Sequence, residues 1–154
     1  MSRTLSFRGQ LAIGVEERIS LHTNTGQTGY QITKFQILSS APGAANLELI
    51  AQIYKTPDEL GGSNINTTPD FSNNRLLAVS YMKERAGDFY GHGIGPIIFD
   101  NEIFNQDVYI NITDAAGGTT PCNYYIEMEV MDLALDEATV ATLKDIRNSP
   151  NPQD

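Results

Sequence analysis

The sequence reads as an all-β protein: an antiparallel β-sandwich of about eight strands with one short C-terminal α-helix. Three observations predict it. Apolar and polar residues alternate through most of the chain, which puts side chains on opposite faces of an extended strand. The alternating runs are short, and clusters of Gly, Pro, Asn and Thr separate them, as in a sandwich or barrel. Only one stretch, near the C-terminus, changes to helical periodicity.

In order along the chain, GQLAIGV turns Leu11, Ile13 and Val15 to one side, and RISLHT does the same with Ile19 and Leu21. KFQIL offers Phe35 and Ile37. NLELIAQIY is the cleanest run, with Leu47, Leu49, Ala51 and Ile53 on one face and Glu48 and Gln52 on the other. LLAVSYM carries Leu77, Val79 and Tyr81, and the short PIIF carries Ile97 and Phe99. DVYINIT aligns Val108, Ile110 and Ile112. CNYYIEMEVMDL sets Tyr124, Ile126, Met128 and Val130 against Tyr125, Glu127, Glu129 and Met131. Such one-sided patterning predicts strands with one buried and one wet face. The arrangement expected is jelly-roll-like. Residues 61–75 hold almost no core-forming side chains and read as a long loop. Residues 114–121, DAAGGTTP, read as the tip of an extended hairpin.

The helix is expected over about 136–147. Asp136 suits the N-cap, Leu135 and Val140 a hydrophobic staple, and Val140, Leu143 and Ile146 an apolar stripe. Asp136 and Glu137 sit at the positive end of the dipole, Lys144 and Arg147 at the negative end. Asn148, Pro150 and Pro152 stop it. Residues 1–148 thus form one domain, and 149–154 a flexible tail.

The 154 residues carry a net charge of -9, with only 10 scattered Lys and Arg, so nucleic acid is not an expected partner. No apolar run approaches the roughly 18–20 residues that would span a bilayer, and the first residues lack a signal-peptide core. One cysteine, Cys122, allows no intrachain disulfide.

Candidate chemistry is sparse. Asp100, Glu102 and Asp107 lie within eight positions, but the segment has no Gly for the sharp turn of a calcium loop, and Ile103 and Phe104 occupy its middle. The acids read as turn and strand-entry residues, with Ile103 and Phe104 plugging the sandwich. GHGIGP, 91–96, runs into a β-like segment rather than a helix, unlike a phosphate loop. His22 and His92 have no metal-ligand spacing. Cys122 has no visible activating base and reads as a small buried hydrophobe. No cofactor or metal is expected. Tyr125 and Tyr109, opposite in phase to their inward neighbours, and Met131 are candidate interface residues, since outward aromatics and Met on a sheet favour a partner surface.

Three segments, EIFNQDVYI (102–110), CNYYIEMEVMDLALDE (122–137) and ATVATLKDIRN (138–148), resemble a family of small proteins encoded by marine tailed bacteriophages, including those of Pelagibacter and cyanobacteria. RGQLAIGVEER (8–18) and ITKFQIL (32–38) are similar too. Members are placed among virion structural genes near the capsid protein. The resemblance implies a non-enzymatic virion protein made in the host cytoplasm, a capsid decoration or cement protein. Its expected partners are the major capsid protein or another virion protein, or further copies of itself. A host- or carbohydrate-binding module on the particle is the alternative, and a small hydrolase or metal enzyme a distant third.

Overall fold

The computed structural model describes residues 3–21, 27–58, 64–86, 88–92, 95–99, 102–133 and 142. Nine strands follow in chain order: β1 (Arg3–Leu11), β2 (Glu16–Ile19), β3 (Thr28–Ser39), β4 (Leu47–Tyr54), β5 (Leu76–Arg85), β6 (Asp88–His92), β7 (Ile97–Ile98), β8 (Val108–Asp114) and β9 (Cys122–Asp132). Eight have four residues or more, and β7 has two. One sheet has the order β1-β9-β3; the other runs β2-β8-β4-β5-β6, with β7 also on β5. Every pairing is antiparallel.

The chain changes sheet between β1 and β2, β2 and β3, β3 and β4, and again between β8 and β9. That interleaving gives a jelly-roll order. In a regular roll, a strand following β5 would return to the smaller sheet and pair with β3. Here both β6 and β7 stay on β5.

Alternation generates the core. Cys122, Tyr124, Ile126, Met128 and Val130 of β9 turn inward with Phe35 of β3, toward Leu47, Leu49, Ala51 and Ile53 of β4 and Val108, Ile110 and Ile112 of β8. Fully burying each such side chain contributes about 1.5–3 kcal/mol before the entropy of ordering it is counted. Phe104, outside the main strands, is also buried and pairs backbone to backbone with Tyr30, its ring stacked at 6.2 Å.

Several expectations change. The first strand begins at Arg3 and ends at Leu11, with Leu5 and Phe7 packed against the core. Ile13 and Val15 fall in the turn after it, where Gly14 has φ 79° and donates to the Ile112 carbonyl at 2.9 Å. Residues 114–121 are no hairpin tip, because β8 and β9 belong to different sheets. Ile103 is partly exposed, so Phe104 alone plugs the sandwich. The expected helix at 136–147 and the tail at 149–154 lie outside the described residues. Thr142 is the exception: its Oγ1 accepts a hydrogen bond from buried Asn105 at 2.9 Å. His22, Asp100, Gly93 and the 61–63 part of the long loop are also outside.

Candidate functional site

The two outer faces of the sandwich differ. Gln52 and Tyr54 of β4 and Asn111 and Thr113 of β8 point away from the main core, so their phase predicts exposure. All four are buried. Residues 64–75 lie across them and replace water with a hydrogen-bonded polar layer. Asn64, fully buried, is its hub. Its Nδ2 donates to Glu16 Oε2 at 2.9 Å and to the Thr56 carbonyl at 2.8 Å. Its Oδ1 accepts from Arg75 Nη1 at 3.0 Å, and its carbonyl accepts from Asn111 Nδ2 at 3.0 Å. Arg75 Nη1 also reaches Thr56 Oγ1 at 3.1 Å, and the guanidinium lies 5.7 Å from the centre of the Tyr54 ring.

The Asn66 carbonyl takes hydrogen bonds from Gln52 Nε2 (2.9 Å) and Thr113 Oγ1 (3.1 Å), and the Tyr54 hydroxyl donates to Gln52 Oε1 at 2.6 Å. Burial raises the Tyr54 phenol above its ordinary range, against the opposing pull of the Arg75 charge. Ile50, Leu76 and Val79 form a small apolar cluster beside this layer, with Tyr81 and Phe99 packed on it. At the loop's turn, Ser72 donates to Asp70 Oδ1 from both Oγ (2.6 Å) and N (3.0 Å), which lowers the Asp70 pKa.

The outer face of the three-stranded sheet carries no such layer among the described residues. Tyr125 stands at its centre, half-buried, with Arg8 of β1 and Gln36 of β3 opposite it on either side. The next row holds Gln10, Asn123 and Leu38. Gln10 Nε2 donates to Asn123 Oδ1 at 3.1 Å, and Leu38 is 53% exposed. Lys34 and Glu127 pair at 3.4 Å in the row beyond Tyr125. Met131 shares the face with Tyr125, six positions along β9 and thus roughly 20 Å away.

Tyr109 lies elsewhere. It is on the outer face of the larger sheet, between Arg18 of β2 and Tyr54 of β4. Tyr125 and Tyr109 therefore face opposite directions, and no single partner surface covers both. Leu38 is the exposed apolar residue of this face that the sequence reading passed over. Its signal was present, since an alternation that turns Phe35 and Ile37 inward turns Leu38 outward.

Glu102 and Asp107 are separately engaged. Glu102 Oε2 meets Lys55 Nζ at 2.8 Å, and the Lys55 side chain is almost wholly buried. Asp107 Oδ1 accepts from the Leu21 N–H at 2.9 Å, with Arg18 Nε 3.8 Å from its Oδ2. Among the described residues, no three His, Cys, Asp or Glu side chains gather as a metal site. Cys122 is fully buried, and burial pushes its thiol up to about 12, so the nucleophilic thiolate is suppressed.

No protein-family model, curated protein or solved structure matches this chain.

Proposed function

We propose that the chain is a non-enzymatic bacteriophage virion protein, a capsid decoration or cement protein that docks on the assembled head through the outer face of its three-stranded sheet. One observation carries the reading. Among the described residues, the chain seals the outer face of one sheet with its own loop and lays nothing over the other, with Tyr125 at its centre and an exposed Leu38 in the next row. A central aromatic within a polar surround is the composition of a protein interface. The sequence resemblance to phage virion proteins supports the same reading, while the fold alone fixes no function.

Docking would add free energy to the closed shell as RT ln(1+[L]/Kd), about 2.7 kcal/mol per site at a hundredfold excess over Kd. Purified protein is mixed with undecorated heads and imaged. The expected result is regular attachment by the native chain and loss of attachment with Tyr125→Asp. Absence of attachment by the native chain would defeat the reading.

A cleft of about 310 Å³ between the 64–75 loop and β5 favours a second function, binding of host carbohydrate. It is lined by Glu48, Thr67, Phe71 and Tyr81 among others, and the Tyr81 hydroxyl donates to Glu48 Oε1 at 3.0 Å. An aromatic ring beside polar groups is a usual way to hold a sugar. A glycan array hit that Phe71→Ala removes, without head binding, would favour this alternative.

A further inference from the structure

The strand order leaves one position open. The Ser40 N–H donates to the Pro121 carbonyl at 3.0 Å, so 40 and 121 form a hydrogen-bonded pair of the β3–β9 ladder. By the two-residue period of an antiparallel ladder, Leu38 with Asn123 and Gln36 with Tyr125 are bonded pairs as well. Phe35, Ile37 and Ser39 then turn both N–H and C=O away from β9, toward the sheet edge. At the other end of β3, Phe104 takes up the corresponding groups of Tyr30, at 2.8 and 3.0 Å. Beyond the bulge between Ile32 and Lys34, no described residue does so for 35–39.

This edge borders a cleft of about 520 Å³, whose far wall is Tyr81, Gly95 and Pro96. It is the position that a returning strand would fill in a regular roll. Among the described residues, the strands that follow β5 pair with β5 itself, and Pro96 has no N–H to offer.

Charge separates this edge from the others. β1 carries Arg3 and Arg8, and β2 carries Glu16, Glu17 and Arg18. Charges of this kind keep an edge strand from pairing with foreign chains. Residues 35–39 carry none, and no described lining residue of the cleft is charged, in a chain of net charge -9.

We infer that the β3 edge from Phe35 to Ser39 is a seat for one added strand, an uncharged extended segment of another protein with apolar residues at alternate positions. Main-chain hydrogen bonds would hold it, and the alternate side chains would enter the cleft. Tyr81, Gly95 and Pro96 on the far side of the cleft leave no open ledge for a second sandwich. Two chains of net charge -9 also repel, which argues against a second copy. The seat borders the docking face, and only the donor's identity as a shell subunit rests on the function proposed above.

Amide hydrogen exchange on the full chain tests the seat. In dilute free protein, the amides of Phe35, Ile37 and Ser39 should exchange at least about tenfold faster than those of Gln36, Leu38 and Ser40. Capped octapeptides of alternating Val and Thr are then added, with a second set carrying Glu in place of Thr. The uncharged peptides should slow the three outward amides about tenfold, and the Glu set should not.

Ile37→Pro removes an outward N–H and no β9 bond, so it should abolish the effect while Gln36 and Leu38 stay protected. Ile37→Lys places a charge in the slot and should do the same. The inference is overturned if the three amides are already protected in dilute protein. It is also overturned if they become protected on concentrating the chain alone, which would make a second copy the occupant. Failure of the uncharged peptides to slow them, or equal slowing by the Glu set, overturns it as well. Peptide binding without head binding would leave the seat standing and remove the decoration reading.

Discussion

Asn64→Ala should unlock the polar layer under the 64–75 loop. The substitution deletes three side-chain hydrogen bonds, two donated and one accepted. Glu16, partly exposed, can rehydrate, and Arg75 Nη1 keeps Thr56 Oγ1. The Thr56 carbonyl and one guanidinium N–H lose a partner in a buried setting. At roughly 1–3 kcal/mol for each stranded group, the expected loss is about 3 kcal/mol. That is a large part of the roughly 5–15 kcal/mol that holds a domain folded. It corresponds to a fall in Tm of about 6–12 °C at this chain length. Urea unfolding would show a lower midpoint at an unchanged slope. Thr68→Ala is the control. Thr68 is exposed and its backbone N–H, not its side chain, makes the close 2.9 Å bond to Asn66, so the change should stay within about 0.5 kcal/mol. An Asn64→Ala loss below about 1 kcal/mol would refute the view that this network holds the loop on the sheet.

Three further outcomes follow from the same structure. The Cys122 thiol has its folded pKa raised to about 12 from 9.0, so the stability linked to it is complete below the unfolded value and disappears as pH rises from about 9 toward 12. Alkaline melts of the native chain and Cys122→Ala should converge over that window, and maleimide should label the folded thiol only after unfolding. Glu84 faces inward opposite Leu47, is 5% exposed and has Oε1 without a partner among the described residues, so Glu84→Met should raise stability by about 1 kcal/mol in thermal melts. A Cβ at Gly9 would stand 2.9 Å from the Tyr124 hydroxyl oxygen, so Gly9→Ala should cost about 1–2 kcal/mol, and Tyr124→Leu in the same chain should recover part of it in a double-mutant cycle.

The strands were legible because period-two patterning is a local property. Leu47 to Ile53 and Cys122 to Val130 show their inward sets without knowledge of any partner. What alternation cannot report is whether something lies over the outward set. Gln52 and Asn111 have the phase and polarity of wet residues, yet both are buried because a segment twelve or more positions away in sequence covers them. The loop was similarly opaque: Asn64 and Arg75 stabilise it through hydrogen bonds, which leave no hydrophobic signature. Tyr109 and Tyr125 were both read correctly as outward in phase, but which sheet each strand joins is a matter of topology. That choice sends them to opposite sides. The β3 edge at 35–39, which no described strand pairs with, was invisible for the same reason, since only the strand order reveals it.

The first and last of the described strands are zipped together, with Arg3 opposite Val130 and Leu11 opposite Cys122. Among the described residues neither β1 nor β3 has another strand partner, so the smaller sheet cannot close until β9 exists. During synthesis β1 and β3 must wait until β9 has left the ribosome, and pairing so distant in sequence is slow. A truncated or nascent product would therefore present the larger sheet and its loop but never the surface around Tyr125. Assembly through that surface would admit only molecules whose β9 is already in place.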